Sequence, residues 1–227
     1  MRLLLLRHGQ THGNTQGALD TAFPGNDLTE LGIRQSEAAA QVLAGDPPTG
    51  IYVSPLVRTQ QTAAPLAAAL GLAPQIVEGL REISAGEFEM ATDEDSILGY
   101  IGTVADWIEG RYDTRMSGAE SGHEFLARYD EAVAGIAAAG HERALVVSHG
   151  AAIRTWVASR APDSASHQMA TEGLANTACI ELEGSPTDGW QVASWSAEPI
   201  GGAFLADETA PDPTGHGVDH ESDPAQN

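Results

Sequence analysis

Three short apolar runs punctuate the chain, and each ends in a polar cluster. Leu3-Leu4-Leu5-Leu6 runs into Arg7-His8-Gly9-Gln10-Thr11, and Ile51-Tyr52-Val53 into Ser54-Pro55-Leu56-Val57-Arg58-Thr59. Ala144-Leu145-Val146-Val147 runs into Ser148-His149-Gly150. Brief apolar runs bounded by turn-forming residues read as fully buried strands. If the three strands are parallel, the three polar clusters share the carboxyl edge of the sheet, where open α/β folds bind ligands. The first run is too short for a secretory signal, whose apolar region takes about 7–15 residues. Residues 74–77 read as a further short strand, and 179–183 with 191–195 as a closing hairpin.

Segments of helical period separate these strands. Thr29 is placed to cap a helix to about residue 44, with Leu31, Ala38, Ala39, Val42 and Leu43 on its core-facing side. Ser54 and Pro55 read as the N-cap and first residue of a helix that stops at Gly71, which puts Arg58 in its first turn. A cation there opposes the helix dipole, so it is expected to serve a ligand. Ile97, Ile101, Val104 and Ile108 mark a helix within 91–116, behind Asp93-Glu94-Asp95. Ser121 and Glu124 form a capping-box pattern for a helix to about residue 139. Residues 151–160 follow the third strand and stop before Pro162, and residues 9–27 read as a loop. The alternation predicts an α/β protein, a three-layer α/β/α sandwich with a mostly parallel sheet and helices on both faces.

Composition narrows the partners. The net charge is -21, all 11 basic residues are arginine, and none lies beyond Arg160. Nucleic acid and anionic membrane are therefore excluded as expected partners. A small anion is not excluded, because the screening length of about 8 Å lets Arg7 and Arg58 set the local sign. Cys179 is the only cysteine, read as a small buried apolar residue, so neither an intramolecular disulfide nor a cysteine metal cluster is expected. A cytoplasmic location follows as the expectation. Residues 1–205 read as one domain, and 206–227, rich in Pro, Gly, Asp and Glu, as a disordered acidic tail. His216 and His220 within it read as solvated rather than as a metal site.

The ordered set Leu6-Arg7-His8-Gly9 with Thr11 and Asn14, Ser54-Pro55 with Arg58 and Thr62-Ala63, Leu80-Arg81-Glu82 with Gly86, and Ser148-His149-Gly150 resembles the histidine phosphatase superfamily, from about residue 2 to 183. The chain departs from that pattern once. Where members continue to an aromatic-Glu-Gly end, it reads Phe88-Glu89-Met90. The resemblance implies an inserted lid segment at about 83–120, with Glu120-Ser121 and Arg128 bordering the pocket. It implies His8 as nucleophile through a phosphohistidine, and Glu82 as general acid and then base, with Arg81 as its ion-pair neighbour. Arg7, Asn14, Arg58, His149 and Gly150 would bind phosphate, with His149 cationic or a strong donor. Glu87 and Glu89 remain rivals to Glu82, and His12 and His123 fall outside the pattern.

These residue types suit phosphoryl transfer, which is mostly positioning and charge stabilisation. Two arginines can grip phosphoryl oxygens bidentately, and a neutral imidazole can attack phosphorus. General acid–base help is worth about 10²–10⁴ in rate. No metal and no cofactor is expected. The expected function is a metal-independent phosphomonoesterase acting on a small phosphorylated metabolite. A phosphoglycerate mutase and a non-catalytic phosphate-ligand binder or regulator stand as alternatives. A homodimer is compatible with the sequence and is not specified by it.

Overall fold

The structure is a computed structural model that describes residues 1–161, 167 and 170–217. Six strands form one sheet: β1 (Arg2–Arg7), β2 (Gly50–Val53), β3 (Gln75–Ile76), β4 (Arg143–Ser148), β5 (Cys179–Ser185) and β6 (Gly189–Ser196). Their spatial order is β3-β2-β4-β1-β5-β6. The first four are mutually parallel, while β5 runs antiparallel to β1 and β6 antiparallel to β5. The expected parallel core and closing hairpin are both present.

Side-chain alternation along the strands builds two cores. Leu3, Leu5, Tyr52, Ala144 and Val146 face one side, where α4 (Glu94–Ile108), α5 (Gly122–Ala138) and α6 (Gly150–Arg160) pack. Leu4, Leu6, Ile51, Val53, Leu145, Val147 and the buried Cys179 face the other, against α2 (Glu30–Leu43) and α3 (Val57–Leu70). Leu-rich strands buried on both faces explain why the runs show no polar alternation.

Local chemistry sets the helix ends. Thr29, Asp93 and Ser121 cap α2, α4 and α5 through their side chains, and Ser121 and Glu124 complete the capping box. Within the expected loop 9–27, Thr11 and Asn14 make a second capping box that opens the short α1 (His12–Gln16). Two expectations are corrected. Val42 is exposed, since the buried stripe of α2 runs through Gln35, Ser36, Ala39, Ala40 and Leu43. The N-cap of α3 is Leu56, two residues later than expected; Ser54 Oγ instead accepts from the Leu56 N–H in the turn that precedes the helix.

The tail expectation is also corrected for residues 206–217, which pack against the body of the protein. Their acidic groups find partners: Asp207 accepts from Gln10 Nε2 at 2.7 Å, and Asp212 is buried against Arg7. Pro162, His220 and the rest of 218–227 lie outside the described residues. His216 lies in an isolated bridge with Gly173.

Candidate active site

Sheet register assembles the site. Arg7 and Ser148 are partners on the adjacent strands β1 and β4, so His8 and His149 emerge side by side. Their rings meet edge to face with centroids 5.3 Å apart. The glycine after His8 has a packing reason: a Cβ there would lie 2.7 Å from the Gly32 carbonyl oxygen of α2.

His8 Nδ1 lies 2.8 Å from the Gly9 carbonyl oxygen. A carbonyl can only accept, so Nδ1 carries the proton and Nε2 keeps its lone pair. Burial, then Arg58 and Arg7, hold the His8 pKa well below the usual imidazole value, with the Gly9 bond opposing. The ring is therefore neutral at neutral pH. Burial, followed by Arg58 and His8, does the same to His149. Of the two states expected for His149, the structure favours the neutral donor over the cation. Its Nε2 lies 2.8 Å from Ser54 Oγ, and its Nδ1 is buried without a partner. With Ser54 donating to Nε2, Nδ1–H becomes an unspent donor.

Glu82 is buried between the end of β3 and the start of α6. Its Oε1 accepts from the Ile83 N–H at 2.8 Å and the Ala152 N–H at 2.9 Å; its Oε2 accepts only from the Ala151 N–H, at 3.3 Å. Burial pushes its pKa up, against the pull of the Ile83 bond and Arg58. Arg128 fixes the loop that carries it, donating to the carbonyls of Gly79, Arg81 and Glu82 while pairing with Glu120. The carboxylate partner of Arg81 is Glu78, at 3.6 Å, rather than Glu82. Glu89 is committed to the Thr21 and Ala22 N–H groups and the Thr21 hydroxyl, and Glu87 is exposed. Met90 takes the left-handed conformation (φ 62) at the position where the family pattern has glycine.

The two arginines differ in how they are held. Arg58 Nη2 donates to the Asp20 carbonyl at 2.9 Å, and its Nη1 lies 3.5 Å from Asp20 Oδ2. Arg7 is held bidentately by Asp212, at 2.7 Å on each nitrogen. Asn14 Nδ2 donates to the same carboxylate at 2.7 Å. The Nε of both arginines is buried without a partner. Gly150 begins α6 directly beside Arg7, where a Cβ would lie 3.0 Å from its Nε. His8, Glu82, His149, Arg7, Asn14, Arg58 and Gly150 are all buried and drawn together. His12 is exposed, and so is His123, which pairs with Asp113.

Several supporting residues carried no assignment in the sequence. Asn176 Nδ2 donates to the His8 carbonyl, and Thr177, at φ 56, donates its N–H to the carbonyls of both Arg7 and His8. Asp20, Asp212 and Arg154 complete the ring. Burial, then Arg7, lowers Arg154 to about 10. A lone arginine in the apolar run Ala151-Ala152-Ile153-Arg154-Thr155-Trp156 was the one legible signal among them. A cavity of about 300 Å³ opens onto Glu82, between Thr21, Phe23 and the 118–120 turn.

Comparison with known proteins identifies the family. Residues 3–198 match the model of the histidine phosphatase superfamily, branch 1. The chain therefore belongs to that superfamily and is a phosphatase enzyme of that type. It is 36% identical over 217 residues to the PE-PGRS family protein PE_PGRS11 of Mycobacterium tuberculosis, covering 88% of this chain and 37% of that protein. It is 30% identical to the glucosyl-3-phosphoglycerate phosphatase of the same organism, covering 86% of this chain and 94% of the relative. The solved mycobacterial glucosyl-3-phosphoglycerate phosphatase in complex with VO3 superposes with a TM-score of 0.73, at 30% identity over 87% of this chain and 99% of that one. Among the described residues, no helix is long and apolar enough to cross a membrane.

Proposed function

We propose that the chain is a metal-independent phosphomonoesterase that hydrolyses a small phosphorylated metabolite through a phosphohistidine on His8. One observation carries the reading: His8 is neutral with its Nδ1 turned to the Gly9 carbonyl, which puts the lone pair on Nε2 in a ring that stands against His149 and in the field of Arg58.

The chemistry then runs in two steps. The Nε2 lone pair forms the N–P bond as the P–O bond to the alcohol breaks, and the departing alkoxide takes a proton from Glu82. Water next attacks phosphorus, giving its proton to the Glu82 carboxylate, and the N–P bond breaks with its electrons returned to His8. Oε2 of Glu82, the less encumbered oxygen, suits the proton. Arg7, Arg58, Asn14, the Gly150 backbone and the His149 Nδ1–H donor would hold the phosphoryl oxygens, in a dry site where such donors are worth most. Positive charge for the phosphoryl group comes from the protein's own arginines.

These groups are buried, and the cavity at Glu82 is lined by Thr21–Phe23 on one side and by Ser84 and residues 118–120 on the other, so the 83–120 segment would act as a lid past which substrate enters. The test is a panel of phosphomonoesters assayed with and without chelator, for the native protein and His8→Ala. A sugar-linked phosphoglycerate belongs in the panel, given the name of the mycobacterial relative. Hydrolysis that survives chelator and vanishes in the variant supports the reading. Turnover only with a bisphosphorylated primer would mark a mutase instead.

A further inference from the structure

The terminal nitrogens of Arg7 have no N–H left for a phosphate as the structure stands. Its Nη1 donates to Leu174 O and Asp212 Oδ2, and its Nη2 to Asp212 Oδ1 and Thr214 Oγ1. All four terminal N–H bonds are thereby spent. Asn14, also read as a phosphate contact, donates its Nδ2–H to the same Asp212 Oδ1. One carboxylate thus sits on both groups, in the bidentate manner by which a guanidinium also grips phosphate.

We propose that Asp212 is a resident competitor for the phosphoryl site, and that this competition sets the charge a ligand must bring. The inference rests on the phosphatase reading above and adds a specificity determinant to it. A dianionic phosphoryl group offers twice the charge of the carboxylate and a third oxygen. It can displace Asp212 and also use the Nε of Arg7, the Nε of Arg58 and the Nδ1 of His149, three buried nitrogens without partners. A monoanion, such as a diester or a carboxylate, brings no more charge than the group it must replace. Selection for monoesters then comes partly from inside the chain. When product leaves, the carboxylate re-enters and opposes rebinding.

The segment that carries Asp212 is buried over 212–215 and held by a few named bonds, among them Arg154 Nη2 to the Thr214 carbonyl and the Gly173–His216 bridge, so displacement of the carboxylate has a defined set of contacts to report on. Residues 205–207 are moored separately, by Gln35 to the Leu205 carbonyl and by Gln10 to Asp207. Beyond them, Asp212 N–H reaches Asn14 O at 3.2 Å, and Leu174 N–H reaches Gly215 O at 2.8 Å. Asp212 itself takes a positive φ of 26, a conformation that residues other than glycine hold only under constraint.

The experiment is titration calorimetry with inorganic phosphate on the full chain, native and Asp212→Asn, at mildly alkaline pH where the dianion predominates. Asparagine keeps the shape and tolerates the backbone conformation but removes the charge. Phosphate is expected to bind the variant about tenfold tighter, with KM for a phosphomonoester falling alongside. Equal or weaker binding by a folded variant that still hydrolyses esters overturns the proposal alone; in that case Asp212 merely positions Arg7. Phosphate binding by neither protein overturns the phosphatase reading, and this one with it. If the variant does not fold, hydrogen exchange on the native protein decides. Saturating phosphate should speed exchange at the amides of Asp212, Gly215 and Leu174, and unchanged or slower exchange there overturns the competition.

Discussion

Ser54 Oγ lies 2.8 Å from His149 Nε2. A residue at the tip of β2 thereby orients a histidine at the tip of β4. The same hydroxyl accepts from the Leu56 N–H at 3.2 Å and meets Thr59 Oγ1, also at 3.2 Å. Ser54→Ala should therefore free the His149 ring while leaving the other site residues in place. Small misplacements of a reacting group cost about 10²-fold, so kcat should fall by about that factor with a smaller change in KM. Steady-state kinetics on the purified variant checks this. A kcat unchanged from native would show that the hydroxyl does not orient the ring.

The pH–rate profile should have two limbs of opposite sign. His8 must be neutral to attack, and its depressed pKa keeps the ring active well into acid. Glu82 must be protonated to help the alkoxide leave, and its raised pKa carries the proton above the ordinary carboxyl range before it is lost at higher pH. Glu82→Gln should abolish the alkaline limb. It should cost about 10²–10⁴ in rate with alkyl phosphates and much less with aryl phosphates, whose leaving groups need no proton. Equal losses on both substrate classes would remove Glu82 from the role.

Stability should fall on the acid side for the same reason that His8 works there. Both histidines stay neutral when folded, whereas an unfolded chain protonates them near the ordinary 6.5. Below that pH the unfolded state binds more protons. Unfolding is then favoured as pH falls, by up to about 1.4 kcal/mol per pH unit for each ring. Melting temperature measured from neutral pH down to about pH 5 should drop steeply for the native protein and less steeply for His149→Asn. Parallel slopes for the two proteins would contradict the buried-neutral assignment.

Met90 offers a test free of the chemistry. It is half exposed, yet it holds φ 62. A left-handed backbone costs a residue with a Cβ roughly 1–2 kcal/mol, part of which glycine gives back as unfolded-chain entropy. Met90→Gly should stabilise by about 0.5–1 kcal/mol and leave kcat unchanged. Thermal denaturation measures it, and a lower melting temperature would mean that the Met90 side chain contributes packing that its exposure does not suggest.

The sequence made the parallel core legible because three Leu-, Val- and Ile-rich runs ended in arginine, serine or histidine. His8, His149 and Arg58 could be placed from strand ends and one helix start alone. Glu82 needed the family pattern, since no strand of clear length precedes it and β3 is only two residues long. What stayed hidden was long-range pairing. Nothing local in Pro211-Asp212-Pro213 says that its carboxylate meets an arginine 205 positions earlier. An acidic, proline-rich composition reads as solvated until a buried cation is found for it. Ser54 was misplaced for a related reason: its hydroxyl oxygen accepts from the Leu56 N–H in a local turn while its proton faces a histidine from another strand, and the helix begins beyond that turn.

The most direct test of the account is to trap the phosphoenzyme. The native protein, mixed with a phosphomonoester labelled in its phosphoryl group and quenched in alkali, should carry an alkali-stable, acid-labile label on the peptide containing His8, and His8→Ala should carry none. Steady hydrolysis without any trapped label, or a label that persists in His8→Ala, would contradict a phosphohistidine at His8.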